Sequence, residues 1–242
     1  MLLFSQKLVR FCLKRRLEIQ ANTYHQKRIA FLHYSSPPNI GGVEAVIAHQ
    51  ARGLLRLGYA VRIISGTGAS FDERIETVVH PLLGSRDATI SKIKQELDSG
   101  FVSPAFHGLV YELETILRTA LTDVDVCIVH NVHTLHKNLL FTAALRRLNY
   151  PRMIAWCHDL AWTNPLYRSE LHDAYPWNLL RQQWPDTQYV TISEMRRDEL
   201  AGLFACSTDL ITLIHPGVSV ADFLNWTPTM RDIEERLRLL DA

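Results

Sequence analysis

Histidine and aspartate side chains that could carry chemistry directly follow apolar runs of the sequence. His158 and Asp159 come after the run that ends at Cys157, and His130 closes an earlier run. A histidine at a strand end can donate a hydrogen bond to a sugar hydroxyl or a phosphate, and a neighbouring carboxylate can hold the loop or fix the tautomer of the ring. We predict these catalytic roles for His158 and Asp159, with a histidine satisfied inside the fold as the alternative for His158.

Histidines recur at every third position from His130 through His133 to His136. A zinc site built on such a run would need Cys, Asp or Glu companions at a recognised spacing, and the nearby sequence supplies none. We therefore predict no metal ion. We expect His130 and His133 to face a ligand cleft and to act there through hydrogen bonds or caps, which makes both candidates for substrate or phosphate binding.

Two predicted helices begin directly after glycine or serine. Gly41 and Gly42 precede a helix with Glu44 in its first turn, and glycines let ligand atoms approach the backbone and the helix N-terminus. A diphosphate suits such a place, although the dinucleotide fingerprint and the P-loop are both absent and a tight turn alone is the alternative. Ser193 is placed as the N-cap of the second helix and is a further candidate for binding.

The segment after His158 is rich in aromatic residues, whose flat faces suit sugar rings. Trp162 and Tyr167 lie closest to the preceding strand end, and we predict that they help to bind the substrate. For Trp177 and Trp184, packing in the core is favoured because Leu179 and Leu180 share their region.

Short apolar runs alternate with amphipathic segments from Arg28 onward, a pattern typical of βαβ units. We predict an α/β fold with a Rossmann-like parallel sheet and helices on both faces. Ligands of such sheets bind outside the carboxyl ends of the strands, where the residues above are found. The predicted strands cover 28–34, 60–65, 75–83, 124–130, 152–156, 189–192 and 210–214, and the predicted helices cover 43–57, 87–120 with a break near Gly100 and Pro104, 135–148 and 194–204.

Composition excludes several classes of protein. The 242 residues include 26 Lys+Arg and 25 Asp+Glu, so the net charge of +1 argues against a nucleic-acid binder. Four scattered cysteines indicate inert thiols in a reducing cytosol rather than a disulfide framework. No apolar stretch approaches the roughly 20 residues that a membrane-spanning helix needs. We predict a cytoplasmic protein.

Residues 1–26 form a predicted basic amphipathic leader. Phe4, Leu8 and Phe11 share one helical face, and basic residues lie between them. Such a segment can contact an anionic membrane surface or pack on the domain, and both alternatives stay open.

Six motifs in order along the chain carry a family resemblance. They are the strand RIAFLHY leading into GGVE, the segment LLRLGYAVRIISG, the strand VDVCIVHNVH, the strand end IAWCHD, the join VTISE, and LITLIHPGVSVADF. From about residue 27 to residue 223 the chain resembles the N-terminal Rossmann-like domain of family-4-type glycosyltransferases, which is one half of the GT-B fold.

The resemblance implies a retaining transfer of a sugar from a nucleotide-diphosphate sugar to an acceptor hydroxyl, with this domain holding the carbohydrate, lipid or small-molecule acceptor. By position, Gly41 and Gly42 would lie near the diphosphate of the donor, His158 would contact the transferred sugar or the acceptor, and Asp159 would support the loop. No cofactor or metal is implied, because basic side chains and helix dipoles stabilise the departing phosphate.

The sequence also departs from the family pattern. No two glutamates are eight positions apart, as the donor domain would require, and HPGVSVADF differs from the usual joint P-N-G-V-D. We expect residues 224–242 to form an interdomain linker helix, the C-terminal donor domain to be missing, and the chain alone to be inactive. A non-catalytic module that binds a carbohydrate or phosphate ligand is the alternative, and an epimerase that uses Asp159 is a weaker one.

Overall fold

The computed structural model describes residues 26–217. Residues 26–214 lie within one compact unit, and residues 215–217 lie outside that unit. Outside the described residues lie the predicted leader up to residue 25, with Cys12, and the predicted linker helix at 224–242. Among the described residues, no helix has the length and apolar character needed to cross a membrane.

Seven parallel strands form a single sheet in the order β3-β2-β1-β4-β5-β6-β7. The strand order reverses between β1 and β4, as in doubly wound α/β folds. The predicted α/β, Rossmann-like fold with helices on both faces is therefore confirmed. The strands are β1 (Arg28–Ser35), β2 (Ala60–Thr67), β3 (Ile75–Val79), β4 (Val126–His130), β5 (Met153–Cys157), β6 (Thr187–Thr191) and β7 (Ile211–Leu213).

Among residues 26–217, five α-helices surround the sheet, and four of them bury an apolar stripe, whereas the helix at Glu194–Phe204 buries Leu200 and Ala201. In the longest of them, Phe106, Val110, Leu113 and Leu117 recur at helical spacing and are buried. The interior strand β1 is buried along six of its eight residues, as expected for a parallel sheet covered on both faces. The helices are α1 (Gly42–Arg56), α2 (Ala88–Asp98), α3 (Pro104–Ala120), α4 (Leu139–Leu148) and α5 (Glu194–Phe204).

Two predicted boundaries were wrong by four residues each. The third strand ends at Val79 instead of residue 83, because Pro81 has no N–H for the ladder and starts a short 3-10 helix at Pro81–Leu83. The helix predicted from residue 135 begins at Leu139, where the side chain of Asn138 caps it by accepting a hydrogen bond from the Phe141 N–H at 3.1 Å.

Gly66 continues strand β2, although the predicted strand ended at residue 65. Its Cα lies so close to Gly84 that an added Cβ would clash with the backbone N and Cα of Gly84. Asn138 holds that neighbouring turn, because its amide donates to the carbonyls of Leu82 at 2.9 Å and Gly84 at 2.7 Å. The end of β2 and the start of α4 are thereby tied to one turn.

We expect Gly66→Ala to lower the free energy of unfolding by about 1–3 kcal/mol, because backbone rather than a flexible side chain would have to move. The matched control is Gly108→Ala in α3, where an added Cβ meets nothing within 4 Å. That change should raise the free energy of unfolding by about 0.5–1 kcal/mol, since alanine is the better helix former. Guanidinium unfolding measures both, and a Gly66→Ala protein as stable as the wild type would contradict the close approach.

Candidate functional site at the carboxyl edge of the sheet

The carboxyl ends of β1, β4 and β5 bring three histidines together. Strand β1 pairs with β4, with Leu32 opposite Val129, and β4 pairs with β5, with His130 opposite Trp156. His33 therefore lies beside His130, and His158 follows directly after β5. We call His33, His130 and His158 the histidine cluster.

Contacts within the histidine cluster are direct. Nδ1 of His130 lies 2.9 Å from Nε2 of His158, and the two rings are stacked with centroids 5.2 Å apart. Nδ1 of His33 donates to the carbonyl oxygen of His130 at 2.9 Å. His130 is completely buried, whereas His33 and His158 are each 7% exposed. His130 was expected to face a ligand cleft, but it is completely buried and contacts His158 instead.

Burial keeps the cluster neutral. Burial, with a smaller contribution from the nearby His33, lowers the pKa of His158 to about 4. Burial likewise lowers the pKa of His33 to about 4 and that of His130 well below its usual value. At neutral pH the rings can therefore donate or accept hydrogen bonds without carrying charge.

Asn131 holds the backbone next to His158, a role that the sequence reasoning missed. Its Oδ1 accepts hydrogen bonds from the backbone N–H groups of His158 at 2.8 Å and Asp159 at 3.2 Å. Asn131 adopts the left-handed backbone conformation with φ of 62°. An asparagine directly after a strand was the available signal, because asparagine tolerates this conformation and often bonds to nearby backbone.

Asp159 points toward helix α5. Its carboxylate lies 3.5 Å from Arg196, which also contacts Glu199 at 2.6 Å. The Asp159 side chain is 53% exposed, so the ion pair contributes little to stability. Ser193 caps α5 by accepting a hydrogen bond from the Arg196 N–H at 3.3 Å, which confirms the predicted cap.

The carboxylate of Glu44 lies at the N-terminus of α1. Gly41 is the N-cap, and the Glu44 side chain folds back over it so closely that an added Cβ at Gly41 would clash with Glu44 Oε2. Gly42 is exposed, with nothing within 4 Å of its Cβ position. The charge of Glu44 also reaches the histidine cluster, because it raises the pKa of His33 against the larger effect of burial. A diphosphate at Gly41 would have to displace this carboxylate.

The structure does not bring His133 to the cluster. Its ring packs against Trp184 with centroids 4.3 Å apart, and the side chain is buried. Burial lowers the pKa of His133 to about 3. The expectation that His133 faces a cleft is corrected accordingly, since the chain turns at Asn131 and directs the ring into the core.

The aromatic segment is largely occupied by contacts within the protein. The Arg181 guanidinium lies 4.2 Å from the centroid of Trp162, whose Nε1 donates to the Trp177 carbonyl at 3.1 Å. Tyr167 packs edge-on against His136, with centroids 4.7 Å apart. Trp177 and Trp184 are buried, as the core-packing alternative predicted.

Among residues 26–217 no three His, Cys, Asp or Glu side chains are grouped so that they could hold a metal ion. His136 instead lies 2.8 Å from Glu170 through its Nε2.

The geometry defines an α/β protein whose polar edge lies where the strand order reverses. The sequence profile of Glycosyltransferase Family 4 matches residues 40–222, more than half of the chain, so the chain belongs to this family. The resemblance read from the motifs is thereby confirmed. No curated protein gives a significant sequence match.

Among solved structures, the chain is similar to WaaG, described as a glycosyltransferase involved in lipopolysaccharide biosynthesis. The TM-score is 0.52 at 13% identity, and the match covers 87% of this chain and 51% of the WaaG chain. The chain therefore spans about half the length of WaaG. At this identity the likeness shows the fold.

The buried histidines predict acid sensitivity. The pKa of an unfolded histidine is about 6.5. The pKa values of His33, His133 and His158 lie at about 4, 3 and 4 in the folded state, and burial also lowers the pKa of His130. As pH falls below about 6.5, the unfolded chain binds protons that the folded chain does not, so the free energy of unfolding falls by about 1.4 kcal/mol per pH unit for each histidine.

This loss should extend down to about pH 4, where the folded histidines themselves titrate. Chemical unfolding at a series of pH values measures it. His133→Phe lies outside the cluster and should reduce the slope by about 1.4 kcal/mol per pH unit. A free energy of unfolding that stays constant through this window would contradict the burial of neutral histidines.

Two substitutions separate the roles of Asn131. Asn131→Gly keeps the left-handed backbone accessible but removes the acceptor of two N–H groups, and should lower the free energy of unfolding by about 1–3 kcal/mol. Asn131→Ala also meets the left-handed backbone penalty and should cost about 1–2 kcal/mol more. Equal stabilities for Asn131→Gly and wild type, measured by guanidinium unfolding, would show that the amide oxygen does not hold the loop.

Proposed function

We propose that this chain is the acceptor-binding half of a retaining glycosyltransferase, which transfers a sugar from a nucleotide-diphosphate sugar to an acceptor hydroxyl. The observation that carries the proposal is the neutral histidine cluster at the carboxyl edge of the sheet. His158 is held there by His130 on its ring and by Asn131 on its backbone. Membership of Glycosyltransferase Family 4 supports the reaction class.

His158 acts in this proposal as a neutral hydrogen-bond partner of the transferred sugar or of the acceptor. A neutral ring suits a sugar hydroxyl, because removing a neutral imidazole from water costs far less free energy than removing a charged side chain. Asp159 acts by supporting the loop, through its backbone carbonyl, which accepts from the Thr134 hydroxyl at 2.7 Å, and through its ion pair with Arg196.

Charges near the cluster support the assignment to the acceptor side. Glu44 contributes a negative charge near His33, and Lys137 contributes a positive one. A departing diphosphate needs several positive groups placed in advance. The proposal therefore assigns these groups to a C-terminal domain, which fits a chain that spans about half of WaaG. Gly41 and Gly42 would approach the diphosphate only after Glu44 turns away.

One observation favours a second candidate function. The Glu44 carboxylate over Gly41 repels phosphate at the helix N-terminus, while the neutral cluster remains suited to a sugar. A non-catalytic module that binds a neutral carbohydrate would have this arrangement. Binding of sugar without turnover, even after a separate C-terminal half is supplied, would identify it.

The location of the protein is also proposed. We expect a cytoplasmic protein, and the basic residues 1–26 could bring it to an anionic membrane surface where a lipid-linked acceptor lies. Vesicle sedimentation with and without anionic lipid tests the contact.

The proposal is tested by titrating the 242-residue chain with UDP-glucose, GDP-mannose, UDP and methyl glycosides of common hexoses, followed by saturation-transfer NMR and Trp fluorescence. We expect at least one glycoside to bind and His158→Ala to weaken that binding by about tenfold, which corresponds to about 1.4 kcal/mol. Nucleotide-sugars should bind weakly. His107→Ala, an exposed histidine on α3, is the matched control and should bind like the wild type.

Three results would count against the proposal. Micromolar binding of a nucleotide-sugar, or release of UDP from UDP-glucose by this chain alone, would overturn its assignment to the acceptor half. Equal glycoside binding by His158→Ala and wild type would remove His158 from the site.

A further inference from the structure

One hydrogen must lie between the rings of His130 and His158. Nδ1 of His130 and Nε2 of His158 are 2.9 Å apart, so one nitrogen donates and the other accepts. Both rings are neutral near pH 7, because burial lowers both pKa values. A neutral imidazole carries one N–H, so the choice of donor fixes the tautomers of both rings.

The other ring nitrogen of His130, Nε2, shows which of the two rings is the donor. If His158 donated, Nε2 of His130 would carry a hydrogen, and within the described residues this buried nitrogen has no hydrogen-bond partner. If His130 donates through Nδ1, its Nε2 is an unpaired acceptor instead. Buried N–H groups without partners are rarer than under-satisfied acceptors, so the second arrangement is favoured.

The rings of Trp156 and Phe31 do not supply a partner for the N–H of the first arrangement. The rings of Trp156 and Phe31 lie 5.7 and 6.0 Å from that of His130, at interplanar angles of 23° and 32°. At these angles an N–H in the plane of His130 does not point squarely at the π face of Trp156 or Phe31, and an N–H···π contact would in any case be weak.

We propose that His130 is a positioning residue that fixes His158 as the Nδ1–H tautomer, so that His158 presents a hydrogen-bond donor to its ligand. The ligand atom it meets is then an acceptor, namely a hydroxyl, ring or phosphate oxygen. In this tautomer His158 cannot serve as a general base through Nδ1, because that atom already holds a hydrogen. The assignment of the ligand rests on the proposed function, whereas the tautomer does not.

The tautomer is measured on the full chain without any ligand. Long-range ¹H–¹⁵N correlation near neutral pH distinguishes a protonated pyrrole-type nitrogen from a bare pyridine-type one. We expect a pyrrole-type Nδ1 and a pyridine-type Nε2 for His158, and the same pattern for His130. The imidazole signals that disappear in His158→Gln are those of His158, which assigns them.

Two variants of His130 test its role. His130→Phe keeps a ring but removes the donor to Nε2 of His158, so the Nδ1–H form should lose this stabilisation and its population should fall relative to the wild type. His130→Asn places an amide nitrogen at the position of Nδ1 and should restore the Nδ1–H form. Circular dichroism checks that each variant folds. If His130→Phe does not fold, the wild-type and His130→Asn spectra still show which tautomer His158 adopts.

A pyridine-type Nδ1 on His158 in the wild type would overturn the proposal, as would a His130→Phe spectrum identical to that of the wild type. Neither result depends on sugar binding or transfer. Failure of the tautomer assignment is therefore distinguishable from failure of the proposed function, which would appear as absent glycoside binding beside the expected tautomer.

Discussion

Parallel pairing of β1, β4 and β5 is the constraint on which the site depends. These strands come from distant parts of the chain, and His33 and His130 are 97 positions apart where their polar groups meet. Each strand must keep its register, because a slip of one residue would turn a histidine to the opposite face. The apolar burial that fixes the register in the middle of the sheet therefore also positions the polar groups at its edge.

The side chains at this edge are both buried and polar, which is possible because their imidazole rings are neutral. A charged group there would need a buried partner, and the cost of removing it from water would be large. Neutral histidines pack against Phe31 and Trp156 as rings and still offer nitrogen atoms for hydrogen bonds. Burial keeps the rings of the cluster neutral, and the same burial makes the stability of the fold depend on pH.

The sequence predicted what depends on local pattern. The Ser193 cap, the break in the helical segment near Gly100 and the placement of His158 after a strand follow from neighbouring residues alone, and the structure agrees with all three. It could not predict which rings touch, because the contact between His130 and His158 depends on the register of two strands. His133 looked equivalent to His130 in spacing, yet the left-handed Asn131 between them separates their surroundings. Side-chain roles of Asp159, Gly41 and Gly42 stay predictions.

The charges at the carboxyl edge of the sheet support the proposed separation of acceptor and donor sites between two domains. Phosphate recognition at a helix N-terminus works because the backbone N–H groups and the helix dipole are free to meet an anion. At α1 the Glu44 carboxylate already lies over the N-cap, and Arg196 is engaged with Asp159 and Glu199. On the proposed function, a donor would displace Glu44 only with the help of positive charge from a second domain. The carboxylate over the N-cap suits a neutral hydroxyl group better than a phosphate, which agrees with the acceptor site that we propose.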